Sequence, residues 1–326
     1  MHRRNSVKFA ITTLLSLLVF SANAQDANSY PSKPIRIIVN FPPGGTVDVM
    51  TRGVAQKLTE KWGQAVVVDN RPGAGGNIGA QSVASAEPDG YTLLATPPGP
   101  MTINQYLYKD MRFDPAKLSS VIMMASVPNA IAARIDFPAN NVKELIAYTK
   151  ANPGKVSFGS QGNGSTSHLT GQMFATMVGS DMMHIPFKGE GPALTEILGG
   201  RVDLFLGNIS AVLKLYQNKQ IKLLGVASSK RSPMANEIPA SQEFGMPDFV
   251  ASAWFAIAAP PGTPAPIVNK LNAAILEALK LPDTQQKMAA LGGEVVGGSP
   301  ADMTTMVIAE RARWKKVIET ANVKLD

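Results

Sequence analysis

Cysteine is absent from the 326-residue sequence and histidine occurs only three times. Both facts limit the kinds of catalytic and metal sites that the protein can contain. A chain without cysteine has no disulfides, no thiol nucleophile and no thiolate ligand for zinc or an iron–sulfur cluster. Three histidines leave little material for imidazole catalysis or for a metal site. Basic runs interleaved with aromatic residues are also missing, so no nucleic-acid partner is expected.

The first 24 residues have the pattern of a cleavable secretory signal. Three basic residues precede an apolar run at residues 9–20, and small residues follow up to Ala24. A membrane anchor is the alternative interpretation, but it needs about 20 apolar residues and this run is shorter. We therefore expect a signal peptide over residues 1–24, a mature chain that begins at Gln25, and a periplasmic location.

The mature chain is large enough for two domains and carries a small positive charge. Loss of the signal lowers the count of Lys and Arg from 31 to 28 and leaves 24 Asp and Glu, so the net charge falls from +7 to +4. A 326-residue sequence with 45% hydrophobic residues is typical of two globular domains. The charge suits a small anionic ligand and is too low to indicate nucleic-acid binding.

Short apolar strands alternate with amphipathic helices, a pattern typical of α/β domains with largely parallel sheets. A strand at residues 35–40, for example, leads into a helix at residues 46–62 whose apolar residues recur on one face.

Two extended apolar stretches, at residues 121–133 and 250–259, are interpreted as strands that cross between domains. The first domain then comprises residues 25–124 and 252–326, and the second comprises residues 125–251. Two crossing strands between α/β domains predict a hinge and a closing cleft.

A glycine-rich turn joins the first strand to the first helix, with the sequence Phe41-Pro42-Pro43-Gly44-Gly45-Thr46-Val47-Asp48. Glycines let the backbone approach a ligand closely, and the helix start behind them presents unpaired N–H groups that favour an anion. The turn is therefore a candidate carboxylate site. A plain tight connection, with Thr46 or Asp48 capping the helix, is the alternative.

A second turn of the same kind precedes a helix in the second half of the chain, with the sequence Gly162-Asn163-Gly164-Ser165-Thr166-Ser167-His168. It offers glycines, hydroxyl groups and a helix start, so it is the predicted counterpart of the first turn. Ser165 and His168 raise the possibility of hydrolase chemistry, but a Gly-x-Ser-x-Gly motif is absent and three-residue spacing at a helix start rarely aligns a nucleophile with a base.

Three further patterns in the sequence are weaker indications of a binding or metal site. Lys188-Gly189, at a strand end, is a candidate anion attractor or a solvated lysine. Asp181 with His184 makes half a metal site without a third ligand. The glycines of residues 73–79 do not follow the dinucleotide-binding pattern, so neither a nucleotide nor any other cofactor is expected.

Several segments together resemble the Bug-type receptors of tripartite tricarboxylate transporters. They are residues 42–48, 69–79, 88–94, 162–165 with 167–169, 184–189 and 200–204. The resemblance implies a two-lobed periplasmic-binding-protein fold of the Venus flytrap kind (type II-like), with no catalysis, that hands a solute to membrane permease subunits. It also implies that the glycine-rich turns of both lobes hold one carboxylate through backbone N–H groups, hydroxyls and bridging water.

The identity of the solute is predicted from two departures from the family pattern. Gly207, beside Asn208, stands where relatives often carry an acid, and the loop at residues 97–101 is stiff and apolar. With an acid missing there, and with Phe41, Trp254 and Phe255 as apolar walls, we expect a carboxylate without an amino group. Its aromatic or apolar body, or a second carboxylate, would fill space beside Gly207. A place for Trp254 in the hinge core is the alternative.

The predicted protein is a monomeric, cofactor-free receptor for a small carboxylate. A secreted esterase or isomerase acting on a similar acid is one rival, and a sensory adaptor that presents the ligand to a membrane kinase is another. The predicted binding residues are Phe41, Pro43, Gly44, Gly45, Thr46, Asp48, Gly162, Asn163, Gly164, Ser165, Thr166, Ser167, Lys188, Gly189, Gly207, Asn208 and Trp254.

Overall fold

The computed structural model describes residues 29–325 as an α/β structure. The predicted signal peptide lies outside the described residues. The strands are β1 (Ile35–Val39), β2 (Val66–Asn70), β3 (Thr92–Thr96), β4 (Ser119–Arg134), β5 (Ser157–Ser160), β6 (Met183–Pro186), β7 (Leu204–Asn208), β8 (Ile221–Val226), β9 (Ser252–Ala259) and β10 (Glu294–Gly297). The helices are α1 (Thr46–Trp62), α2 (Asn77–Ala84), α3 (Val142–Ala151), α4 (Thr166–Val178), α5 (Glu190–Leu198), α6 (Ile209–Gln217), α7 (Ala265–Lys280), α8 (Pro282–Ala290) and α9 (Pro300–Thr320).

The strands form two parallel groups joined through β4. The order across the sheet is β2-β1-β3-β9-β4-β7-β5-β6, and β8 and β10 also pair with β4. Strand β1 is parallel to β2 and β3, and β5 is parallel to β6 and β7. The 16-residue β4 pairs with β9 and β10 along its first part and with β7 and β8 along its second part.

We propose that the two lobes follow this division of the strands. Lobe one contains β1, β2, β3, β9, β10 and the first part of β4, and lobe two contains β5, β6, β7, β8 and the rest of β4. The backbone leaves lobe one once, along β4. It returns near Ala251, whose backbone bonds to Asn129 and Ala227 before β9 begins. The return is therefore a paired backbone segment followed by a strand of lobe one, and β9 itself pairs only with β3 and β4.

The last helix makes a third connection that the sequence did not predict. Met303 and Val307 of α9 are buried in a cluster of lobe one, whereas Trp314 and Ile318 are buried with residues of lobe two. Trp314 is fully buried and its indole donates to Glu310. The end of the 252–326 segment thus packs on lobe two, because the apolar face of α9 continues past the hinge.

Helix α1 is positioned by burial of one face. Met50, Val54 and Leu58 are almost completely buried against the sheet, as the apolar spacing predicts. The helix ends at Gly63 in a left-handed conformation, which glycine adopts without steric cost. Packing of this face directs the amino end of α1, at Thr46, toward lobe two.

Candidate functional site

The candidate site lies where four strands end and their following turns meet. Strand β1 of lobe one and strands β5 and β6 of lobe two each lead into a turn and then a helix, and β7 of lobe two leads directly into α6. In open α/β sheets, ligands bind at this carboxyl edge of the strands. The turn before α1 therefore faces the turns before α4 and α5 and the start of α6 across the gap between the lobes.

A carboxylate already occupies the centre of this gap, and it belongs to Glu190, the first residue of α5. Its oxygens accept hydrogen bonds from the backbone N–H of Thr46 at 3.2 Å and from the Thr46 hydroxyl at 3.1 and 3.2 Å. The side-chain amides of Gln161 and Asn208 donate to it at 2.7 and 2.5 Å. We call this set of donors, on Thr46, Gln161 and Asn208, the carboxylate corner.

Helix α1 makes the corner favourable for negative charge. Gly45, the residue before the helix, has no side chain with which to cap it, so the first N–H groups of the helix point toward the gap. Aligned peptide dipoles give that end a partial positive charge. Glu190 supplies the missing cap from the opposite lobe, since its carboxylate bonds to Thr46 N–H across the gap.

Burial and hydrogen bonding act in opposite directions on Glu190. Burial raises the pKa of its carboxyl above the usual range, while the hydrogen bonds from Asn208 and Thr46 oppose that rise. The ion pairs found among residues 29–325 include none that involves Glu190. The corner therefore holds its anion with neutral donors and a helix end.

Two cavities adjoin the corner. A small one of about 90 Å³ lies beside Thr46, Glu190 and Asn208. A larger one of about 620 Å³ opens next to it between the lobes. The larger cavity has apolar walls from Phe41, Tyr108 and Phe187, together with amide and backbone groups and one basic side chain, Lys188. The residues that line both cavities are Phe41, Pro42, Gln161, Lys188 and Gly189.

The hydroxyl groups of the second turn bond within the turn itself. Ser165 accepts from the backbone N–H of His168 and caps α4, and its hydroxyl donates to the carbonyl of Gly162 at 2.6 Å. The backbone N–H of Gln161 donates to the Ser167 hydroxyl at 2.9 Å. Gly164 N–H donates to the His168 ring at Nδ1, so the ring is not aligned as a base for Ser165. This turn holds Gln161 in place rather than exposing a nucleophile.

The carboxylate of Asp48 holds the first turn in place through hydrogen bonds. Its carboxylate accepts from the backbone N–H of Gly44 at 2.9 Å, from Asn70 at 3.0 Å and from Arg52 at 2.9 and 3.0 Å. Burial alone would raise the pKa of Asp48, but the hydrogen bonds from Arg52, Gly44 and Asn70 outweigh burial and hold the pKa below its usual value. These contacts hold the turn before α1, and none of them is to a backbone N–H of the helix, so they do not make Asp48 the cap of α1.

Replacement of Asp48 by Asn should destabilise the protein, because every partner of this carboxylate is a donor and the amide would place its own N–H groups against one of them. We expect the free energy of unfolding to fall by about 2–3 kcal/mol. Urea unfolding measures this. Asp181→Asn, at an exposed aspartate, is the matched control and should change stability by less than about 0.5 kcal/mol. Equal losses in the two variants would contradict this role of Asp48.

The structure divides the predicted binding residues into two groups. Those that line the two cavities are Phe41, Pro43, Gly45, Thr46, Gly162, Asn163, Lys188, Gly189 and Asn208. Those that lie outside the cavity linings are Gly44, Asp48, Gly164, Ser165, Thr166, Ser167, Gly207 and Trp254. A direct contact between any of these residues and a solute stays a prediction.

Three details of the predicted walls differ from the structure. There is no space beside Gly207, because a methyl group added there would overlap with the ring of Phe205. Trp254 is buried in lobe one with its indole N–H 3.3 Å from Glu310, which matches the hinge-core alternative. The segment Gly99–Ile103 is a buried helical turn and not a wall of the cleft, although Pro97 reaches the small cavity.

Four polar residues that line the two cavities were not predicted from the sequence. They are Asn40, Tyr108, Gln161 and Glu190. Tyr108 comes from a distant part of lobe one, and its hydroxyl donates to the carbonyl of Asn163 at 3.0 Å. Gln161 was detectable, since it directly precedes the second glycine turn. Glu190 was not, because an acid at a helix start ordinarily faces solvent.

His168 and His184 form a stacked pair in lobe two and not a metal site. The rings of His168 and His184 lie 3.9 Å apart at an angle of 11°, and His184 Nε2 is 2.7 Å from the Ser160 hydroxyl. Burial lowers the pKa of His168 to about 3 and of His184 to about 4. In the part of the chain that the structure covers, no three His, Asp or Glu side chains are grouped to hold a metal ion, and no helix has the length and apolarity to cross a membrane.

Comparison with known proteins agrees with this architecture. BugT of Bordetella pertussis is 37% identical over 323 residues, which are 97% of this chain and 99% of BugT. The structure of Rpa4515 of R. palustris with adipate superposes with a TM-score of 0.88 at 38% identity, covering 91% of this chain and all of that one. MatC from Rhodopseudomonas palustris with bound malate gives a TM-score of 0.84 at 30% identity, covering 89% of this chain and all of MatC.

These likenesses confirm the predicted two-lobed α/β fold of periplasmic solute-binding proteins. The model of the tripartite tricarboxylate transporter family receptor matches residues 50–323. That family consists of periplasmic receptors and not of enzymes, which excludes the esterase and isomerase alternatives. The chain belongs to the receptor family of the tripartite tricarboxylate transporters, as its Bug-type motifs predicted.

Proposed function

We propose that the protein binds a small organic dicarboxylate between its lobes and delivers it to the permease subunits of a tripartite tricarboxylate transporter. One carboxylate of the solute would bind in the carboxylate corner, and the rest would extend into the larger cavity. The observation that carries this proposal is the bonding of a buried carboxylate, that of Glu190, by uncharged donors from both lobes. Donors that hold the carboxylate of Glu190 in this way can also hold the carboxylate of a solute.

The larger cavity supports a second carboxylate better than an amino group. Lys188 is the basic side chain in its lining, and it would attract a negative charge and repel an ammonium group. Phe41 and Tyr108 would pack on the carbon chain between the two carboxylates. Two relatives of similar fold were solved with the dicarboxylates adipate and malate, which favours the same class of solute here.

Screening for thermal stabilisation tests this proposal. The panel would contain aliphatic dicarboxylates of increasing length, benzoate, phthalate, aspartate and glutamate. A solute at 100 times its Kd should stabilise the folded protein by about 2.7 kcal/mol, if it binds only the folded state. Each hit would be titrated by calorimetry and checked by NMR after incubation. We expect a dicarboxylate to bind best and to be recovered unchanged. Tighter binding of aspartate or glutamate would contradict the proposed solute class.

A further inference from the structure

Glu190 is unusual because it fills, from within the protein, the place that the proposed solute would take. Gln161 and Asn208 belong to lobe two, like Glu190 itself, whereas Thr46 belongs to lobe one. The bonds from Glu190 to the Thr46 N–H and hydroxyl therefore tie the lobes together directly. The Thr46 hydroxyl also lies 2.8 Å from the Ser210 hydroxyl of lobe two. The two lobes thus meet around the carboxylate of Glu190.

The corner is not fully satisfied by this arrangement. Asn208 is 2% exposed, and its Oδ1 atom is buried without a hydrogen-bond partner among residues 29–325. Glu190 has hydrogen bonds but no basic partner, and a buried carboxylate without a counter-charge is costly. A solute carboxylate that takes over these donors would return the Glu190 carboxylate to water, so the exchange replaces one buried anion by another.

The chain around Glu190 allows such an exchange. Glycines flank it at positions 189 and 191, and a side chain added at Gly191 would meet no atom within 4 Å. Gly189 has a φ of 106°, a conformation that glycine adopts readily and other residues do not. Glu190 itself lines the small cavity, and its neighbour Gly189 lines both the small and the larger cavity.

We propose that Glu190 determines the affinity of the receptor by competing with the solute for the carboxylate corner. In the free protein its carboxylate occupies the corner and holds the lobes closed. We call the hydrogen bonds from Glu190 to Thr46 the latch. A solute carboxylate binds only when Glu190 leaves, so the free energy of the latch is subtracted from the free energy of solute binding. The competition with a solute rests on the proposed function, whereas the latch between the lobes does not.

One variant removes the latch, a second weakens it and a third controls for the change. Glu190→Ala removes the competing carboxylate, and Glu190→Gln keeps its shape without its charge. Glu196→Gln alters a glutamate on the same helix whose partner is the exposed Arg201. Because the chain has no cysteine, one spin label can be attached to each lobe through introduced cysteines at Ile78 and Met183, which are 53% and 56% exposed.

The distance between the labels, measured by pulsed electron resonance without solute, tests the latch by itself. We expect a short distance in the wild type and in Glu196→Gln, and a longer, broader distribution in Glu190→Ala. The same distribution in all three proteins would overturn the proposal, whatever the proteins bind. If Glu190→Ala opens but the wild type binds no acid of the panel, the latch stands and the proposed function fails.

Calorimetry with the best-bound dicarboxylate tests the competition. We expect Glu190→Ala to bind about tenfold more tightly than the wild type, Glu190→Gln to gain less, and Glu196→Gln to match the wild type. Weaker binding by both Glu190 variants would overturn the proposal, because Glu190 would then contact the solute instead of making way for it. Aspartate binding that requires Glu190 would also show that Glu190 contacts the solute, and it would overturn the proposal.

Discussion

Replacement of Gly45 by Val is expected to abolish carboxylate binding while leaving the fold intact. A Cβ atom at Gly45 would lie 3.6 Å from a carboxylate oxygen of Glu190, so the two methyl groups of valine would extend into the carboxylate corner. They would cover the N–H of Thr46 and displace any anion there. Loss of two hydrogen bonds to a charged group corresponds to about 3–6 kcal/mol, or at least about 100-fold in Kd.

The backbone at Gly45 tolerates this change. Its φ of −75° and ψ of 168° are open to valine, so no conformational strain accompanies the new side chain. Gly53→Val is the matched control, because it lies on the same helix and its added Cβ meets no atom within 4 Å. Calorimetry should find normal binding in Gly53→Val and none in Gly45→Val. Normal binding in both would place the carboxylate elsewhere.

Acid should destabilise the protein through the stacked histidines. The folded-state pKa values of His168 and His184, about 3 and about 4, lie below the unfolded value of about 6.5. The stability that depends on the neutral rings is therefore complete above pH 6.5 and is lost as the pH falls toward 4 and 3. Between pH 7 and pH 5 each histidine should lower the free energy of unfolding by about 2 kcal/mol.

Urea unfolding at pH 7 and pH 5 measures this loss, and His184→Phe isolates it. Phenylalanine can keep the stack on His168 but cannot take up a proton, so the variant should lose about 2 kcal/mol less than the wild type between the two pH values. Glu190 acts in the opposite sense, because its pKa is raised, but it is common to both proteins and cancels in the comparison. Equal losses in the two proteins would show that His184 does not titrate in this range.

Local patterns in the sequence predicted the helices well. The helix predicted at residues 46–62 has the same bounds as α1, because an apolar face recurs along it and glycine ends it. The start of α5 at Glu190 was not predicted, so Glu190 was left outside the site. Its importance depends on Thr46, 144 residues away in the sequence, which no local pattern reveals.

The packing of segments on one lobe or the other could not be predicted from the sequence. Amphipathic spacing in α9 shows that one face is buried, but not that Val307 packs on lobe one and Trp314 on lobe two. Likewise Gly207 suggested space only because the ring of Phe205, two residues away on the same strand, was not known to cover it. The packing of α9 involves partners from distant parts of the chain, whereas at Gly207 the spacing alone does not show where the neighbouring Phe205 ring lies.

A crystal structure of the protein with a bound aliphatic dicarboxylate tests the carboxylate corner most directly. One solute carboxylate should accept hydrogen bonds from the backbone N–H of Thr46 and from the side-chain amides of Gln161 and Asn208, with the Glu190 carboxylate turned away. A solute bound elsewhere, with the carboxylate of Glu190 still on these three donors, would contradict the account.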